Sequence, residues 1–206
     1  MKEKLLIIGA GGHGRVVANI ALSMERWKTI SFLDDSEKLK GFVGINVIGK
    51  ISNIHKYVED YDIFVGIGSS SIREELQKSA QMHGAHIPTL IHSSAIIGEQ
   101  VNIGAGTVVM AGTIINCCTT IGEGCIINTG STVGHDGVIG DYVHVSSGVN
   151  LAGTVKIGNN SWIGIGSVVS NNIKIINNCK IGAGAVVVKD INIPGTYIGV
   201  PARKIS

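Results

Sequence analysis

From Ile91 onward the chain carries an aliphatic residue at every sixth position: Ile91, Ile97, Ile103, Val109, Ile115, Ile121, Ile127, Val133, Ile139, Val145, Leu151, Ile157, Ile163, Val169, Ile175, Ile181 and Val187. No insertion breaks the register over these seventeen positions. A period of six with abundant glycine fits neither the 3.6-residue period of an amphipathic helix nor the two-residue period of a strand alone. Glycine often follows the aliphatic residue, as in IGAG, IGEG and IGNN, and small or β-branched groups such as Thr107, Thr113, Ser131, Val143, Val149 and Ser161 stand two positions before it. This is the hexapeptide pattern of a parallel β-helix. Each hexapeptide supplies one short strand and a tight turn, three close a triangular coil, and each aliphatic side chain points inward onto its equivalent eighteen residues further on. The periodic residues are therefore core, and none is a functional candidate.

The first third of the chain has a different rhythm. KLLIIG at 4–9 predicts a buried strand running into GAGGHG at 9–14, followed by an apolar-periodic helix, RVVANIALSM. TISFL predicts a second strand ending in Asp34 and Asp35, YDIFVGI at 61–67 a further strand, and GSSS leads into a helix over about 71–83. Strand–helix alternation of this kind predicts a small, Rossmann-like parallel α/β domain. The expected fold class is thus mixed: an α/β domain over 1–87, then a left-handed parallel β-helix with a C-terminal tail over 88–206.

Gly9, Gly11 and Gly14 match GxGxxG where it should lie, opening a helix after a strand, and an acidic residue closes the next strand at the distance of a ribose-binding carboxylate. The unit lacks a second mononucleotide-binding half, which favours a mononucleotide or nucleotide sugar over an intact dinucleotide. His13 lies inside the glycine loop, beside the phosphates or sugar of such a ligand. Asp34 and Asp35 read either as its ribose contacts or as an ordinary acidic turn.

Composition narrows the function classes. Charged residues are 16% and aromatics 4%, glycine is 29 of 206, and the net charge of +2 comes from scattered lysine and arginine. There is no basic stripe for nucleic acid. Cys117, Cys118, Cys125 and Cys179 have no CxxC spacing and read as reduced core or turn residues, with no metal site expected. The opening MKEKLLIIGAGG has no long apolar segment or cleavage site, so the expectation is a cytoplasmic protein without membrane insertion.

TVGHDGVIGDYVHV, at 132–145, holds the most reactive groups of the solenoid. His135 is third and His144 sixth in their hexapeptides, so both project from a surface or turn, while His92 lies beside the domain junction. His55, His83 and His86 have no partner pattern and read as surface residues. His135 is followed by Asp136, and a carboxylate on one ring nitrogen sets the tautomer and raises the basicity of the other.

Taken with INTGSTVGHD at 127–136, GIGSSSIR at 66–73, FLDD at 32–35 and IGVPARKI at 198–205, the chain resembles the left-handed β-helix acyltransferases. It is most similar to the branch holding the bacterial nucleotide-amino-sugar N-acetyltransferases and sialic-acid O-acetyltransferase-like proteins. The resemblance implies acetyl-CoA as donor, a nucleotide sugar as acceptor, and a homotrimer with sites at subunit interfaces. It implies His135 as general base and Asp136 as its orienting carboxylate, in a position where relatives tend to carry glutamate. It places His144, Gly153, Gly166, Pro201, Arg203 and Lys204 on acetyl-CoA, with the Gly153 N–H holding the thioester oxygen. Gly11, His13, Asp34, Asp35, Gly68 and Asn128 map to the nucleotide sugar.

Two other classes stay open on sequence alone. The chain could acetylate a hydroxyl of sialic acid or another sugar, or it could be a non-catalytic or metal-binding β-helix. A trimer is also expected from the triangular shape, if small or β-branched surface residues such as Thr107, Thr113, Val143 and Val149 let two prisms approach.

Overall fold

The computed structural model describes residues 2–36, 38 and 41–205. The chain divides into two compact units, Met1–Ser93 and Ser94–Ser206. The expected boundary at 87/88 lies six residues earlier. The intervening segment holds a short strand, Leu90–Ile91, which packs against the first helix with Leu90 wholly buried, and so belongs with the front unit.

In the front unit, β1 (Lys4–Ile8), β2 (Thr29–Leu33), β3 (Val47–Gly49) and β4 (Tyr61–Val65) form a parallel sheet in the order β3-β2-β1-β4. Leu5 through Ile8 are fully buried, as a central parallel strand covered on both faces requires. Helices α1 (Gly12–Ser23) and α2 (Ser70–Met82) follow β1 and β4. Helix α1 begins three residues before the apolar periodicity, inside the glycine loop, with Gly11 as its N-cap. A Cβ at Gly14 would run into the carbonyl oxygen of Gly9, so only glycine lets the helix start this close to the strand. β4 ends two residues before the expected strand does, where Gly66 opens the loop to α2. β3 and the 3₁₀ turn Ile51–Lys56 carry too short a pattern to be read from sequence.

The second unit is a left-handed parallel β-helix of two-residue strands, one per hexapeptide. Strands at 96–97, 114–115, 132–133, 150–151, 168–169 and 186–187 make the first face; those at 102–103, 120–121, 138–139, 156–157 and 174–175 make the second. The third face runs from 108–109 through 126–127, 144–145 and 162–163 to 179–181, and is extended by the tail strands Gly195–Ile198 and Arg203–Lys204. The hexapeptide ladders pair a residue with the one eighteen positions on, as in Val133↔Leu151 and Val145↔Ile163, until the tail strand Gly195–Ile198 joins at a spacing of sixteen, as in Lys180↔Thr196. The sixth-position residues are buried from Val109 to Val187, whereas Ile91, Ile97 and Ile103 are only half-buried. Ile97 and Ile103 begin their columns and are stacked on one side only.

One expectation is overturned. Thr107, Thr113, Val143 and Val149 are fully buried inside the coil and cannot form a surface between prisms. Side chains alternate along a strand, so a residue two before the core position shares its inward direction. The outward residue is the one directly before: Ile96, Ile114, Val138, Trp162 and Val168 are 37–61% exposed.

The corners repeat too. After the first face, Gln100, Cys118, Asp136, Thr154 and Asn172 all hold positive φ (55–62°); after the third face the same place is taken by Gly112, Gly130, Gly148, Gly166 and Gly184. Asn and Asp tolerate this region better than most side chains, which suits them to the first corner.

Candidate functional site

His135 and Asp136 lie at the first corner, each with a side chain 59% exposed. His135 Nδ1 is 2.7 Å from Asp136 Oδ2. An ionised carboxylate can only accept, so Nδ1 carries the proton and donates, and Nε2 of the neutral ring is left as the base. That nitrogen lies over Gly153, one coil further on: a Cβ built on Gly153 would fall 2.5 Å from it. Gly153 is half-buried, and its carbonyl accepts from Asn172 N–H. Its own N–H has no acceptor among the described residues. A proton acceptor and a free backbone donor thus lie side by side on an open corner.

His144 lies elsewhere. It stands in the third face, paired in register with Ile126 and Trp162. Its ring stacks on the Trp162 indole with centroids 5.8 Å apart and planes at 9°. Asn128 Nδ2 is 3.4 Å from His144 Nε2, and Trp162 Nε1 donates to Ser146 Oγ at 2.8 Å. Beside them runs a groove of about 340 Å³ lined by Trp162, Gly164, Ile165, Lys180, Gly182 and Ala183 among others. Gly166 is exposed at the adjoining corner. Arg203 and Lys204 line a further cavity of about 380 Å³ with Lys189 and Tyr197, and Pro201 is exposed just before them. Sequence reading missed Trp162 and Ser146. The indole's place eighteen residues after His144 was the available signal.

The solenoid candidates therefore form two groups. His135, Asp136 and Gly153 share the first corner, whereas Asn128, His144, Gly166 and the tail border the third face. Nine residues separate the two histidines, half of an eighteen-residue coil, and the first corner is opposite the third face in a triangular coil.

In the front unit the candidates gather where the strands end. Asp34 Oδ2 accepts from Ala10 N–H at 2.7 Å and Oδ1 from Ser36 N–H at 2.8 Å, while Asp35 Oδ1 accepts from Ile51 N–H at 2.9 Å. Both carboxylates thus order loops, as an acidic turn does, and Asp34 holds the glycine loop directly. Gly11 and Gly68 have open space where a Cβ would be, so a ligand can approach their backbone closely. His13 is half-buried in the same loop. Arg73, fully buried and not anticipated, donates to the carbonyls of Ile67 and Gly68 at 3.0 and 2.9 Å and so shapes the second loop.

His86 departs from the expected partnerless surface residue. It is exposed, but its Nδ1 is 2.8 Å from Oδ1 of buried Asp62, whose other oxygen accepts from Trp27 Nε1. Cys125 and Cys179 are buried, whereas Cys117 and Cys118 are exposed. No group of three His, Cys, Asp or Glu among the described residues is placed to hold a metal ion. No described helix is long and apolar enough to cross a membrane.

Comparison with known proteins bears on both units. Residues 4–80 match the model of the PglD N-terminal domain, and 154–189 match the bacterial transferase hexapeptide model of six repeats. The chain is similar to UDP-N-acetylbacillosamine N-acetyltransferase of Bacillus subtilis, 35% identical over 118 residues, which are 53% of this chain and 52% of that protein. The match thus spans about half the length of that curated relative. The acetyltransferase domain of PglB from Neisseria gonorrhoeae, solved in complex with acetyl coenzyme A, superposes with a TM-score of 0.96 at 36% identity, covering 100% of both chains. PerB from Caulobacter crescentus, solved with CoA and GDP-perosamine, superposes with a TM-score of 0.93 at 33% identity, covering 98% of this chain and 97% of that one.

Proposed function

We propose an activity for this chain from the premise that it belongs to the hexapeptide-repeat acyltransferases related to the nucleotide-sugar N-acetyltransferases. The reaction is transfer of the acetyl group of acetyl-CoA to the amine of a UDP-linked amino sugar. The uridine nucleotide rests on the Bacillus subtilis relative, and the donor on the complexes of the Neisseria and Caulobacter proteins.

The observation that carries the reading is the His135–Asp136 pair with Nε2 turned onto Gly153. A sugar amine is protonated near neutral pH and must lose a proton to attack a thioester. His135 Nε2 takes that proton, Asp136 stabilises the imidazolium that forms, and the Gly153 N–H meets the developing oxyanion. The imidazolium then returns the proton to the departing CoA thiolate. Attack is direct, and the four cysteines take no part.

Acetyl-CoA lies along the third face, with His144 beside the thioester, Gly166 at the adjoining corner, and Pro201, Arg203 and Lys204 toward the nucleotide end. Arg203 and Lys204 are exposed and cationic, as its phosphates need. The nucleotide takes Gly11, His13 and Gly68 at the front loops, which Asp34 and Asp35 hold in shape. Because His135 and His144 are on opposite sides of one prism, one site can use both only when two copies meet. The active form is therefore a homotrimer in which the first corner of one copy faces the third face of the next.

A screen of UDP-, GDP- and CMP-linked sugars with acetyl-CoA, read by thiol release, tests the reaction. Release should require a UDP-linked primary amine. Release with a GDP-linked amine alone would replace the nucleotide, and release with a sialic-acid hydroxyl would replace the acceptor. No release with any amine would sink the reading.

A further inference from the structure

We propose that Cys117 and Cys118 form a two-thiol capture site for a trivalent arsenical, built directly against the His135–Asp136 pair. Both residues are exposed and free at the first corner. Cys118 has φ 60°, which turns the chain there, and its thiol donates to Gln100 Oε1 one coil below at 3.6 Å. Two neighbouring Cα atoms are about 3.8 Å apart, shorter than the roughly 4.4–6.8 Å a relaxed disulfide spans. The pair is thus poorly placed to close on itself. An atom that bonds both sulfurs at once relieves that mismatch, and trivalent arsenic does so. With an organic arsenic(III) oxide, two S–H bonds and the arsenic–oxygen bond break, two As–S bonds form, and one water leaves. Nothing is oxidised or reduced.

The position gives capture a consequence. Cys117 is one coil below His135 and Cys118 one coil below Asp136, and Asp136 N–H donates to the Cys117 carbonyl at 3.1 Å. Adjacent coils are separated by one strand spacing, roughly 4.8 Å, so a group seated on the sulfurs presses on the base and its carboxylate. Partial desolvation, then the Cys117 sulfur, then Asp136 hold the Cys118 thiol above its ordinary pKa.

Phenylarsine oxide and intact-mass measurement test the site on the native protein. One arsenical should bind per chain, and both Cys117→Ser and Cys118→Ser should lose it although Cys125 and Cys179 remain. A dithiol such as 2,3-dimercaptopropanol should release it where an equal thiol concentration of 2-mercaptoethanol does not. No adduct on the native chain, or an adduct that survives either substitution, would overturn the proposal. The coupling to activity rests on the reaction proposed above. Loading should abolish acetyl transfer, while the double serine variant should retain it and ignore the arsenical. A loaded chain that still turns over would overturn the coupling. A chain that binds arsenical but never acetylates any amine would instead overturn the proposed reaction and leave the site standing.

Discussion

Gly153→Ala is the most direct probe of the proposed corner. The added Cβ would stand 2.5, 2.9 and 3.0 Å from His135 Nε2, Cε1 and Cδ2. Non-bonded heavy atoms settle at about 3.5–4.0 Å, so the ring must retreat by about 1 Å. Gly153 is not among the positive-φ residues, so alanine adds no backbone strain there. The ring is 59% exposed and can swing into solvent, which breaks or bends the 2.7 Å bond to Asp136 and leaves the core untouched. Stability should change by no more than roughly 0.5 kcal/mol, as for other surface substitutions. A displacement of 1 Å at a reacting group costs on the order of 10²-fold, or about 2.7 kcal/mol of activation free energy. The assay is kcat/KM by thiol release, with calorimetry for acetyl-CoA and thermal unfolding as controls. If Gly153→Ala keeps kcat/KM within about threefold of the parent at unchanged Tm, the ring over Gly153 is not where the proton goes.

Replacing His135 by asparagine should lower kcat/KM by roughly 10²–10⁴ without altering acetyl-CoA binding by calorimetry; near-parental kcat beside an inactive His144→Asn would move the base to His144. Asp136→Asn should fall between these two variants in kcat, because Asp136 orients the ring without taking the proton. Equal amounts of His135→Asn and His144→Asn chains, unfolded and reassembled together, should regenerate fully parental sites at about a quarter of the interfaces, read as a kcat/KM above the mean of the two variants alone, since random closure of a trimer pairs two intact surfaces at one interface in four. No recovery would mean that both histidines serve one subunit or that the copies do not associate. Gly14→Ala should abolish nucleotide binding by calorimetry and cost the front unit at least about 1–3 kcal/mol, because the clashing Gly9 oxygen is backbone and cannot turn away.

The solenoid was legible because its core repeats: one inward residue every six positions demands aliphatic character seventeen times over, and glycine marks the turns. Its outer surface was not, because the same two-residue alternation was read one position out of phase. Thr107 and Val149 were expected outside and lie inside, with hydroxyls such as Thr107 Oγ1 satisfied by the Gly122 carbonyl at 2.8 Å. Small size at i−2 reflects a crowded interior, not an approaching neighbour. In the front unit the glycine loop was visible from spacing. Its supports were not: Asp34 on the Ala10 amide joins residues twenty-four apart, and Arg73, although it reaches back only six and five residues to the Ile67 and Gly68 carbonyls, matches no standard capping pattern.

The eighteen-residue register decides what the sequence could say about the site. Residues eighteen apart become neighbours, so His135 meets Gly153 and Cys117, and His144 meets Trp162, although each pair is distant along the chain. Residues nine apart become opposites, so His135 and His144, close in sequence and both in one reactive stretch, are separated by the width of the coil. The resemblance implied sites at subunit interfaces, but the short separation of the two histidines did not show that they lie on different sides of one coil. Reading the same stretch in coils gives two half-sites per chain, a base with its backbone donor at a corner and a stacked histidine on a face. In the proposed reaction each half-site works against the complementary half of another copy. For the proposed reaction the association of subunits is then a requirement, because a lone chain would hold every proposed catalytic group and still be unable to bring them together.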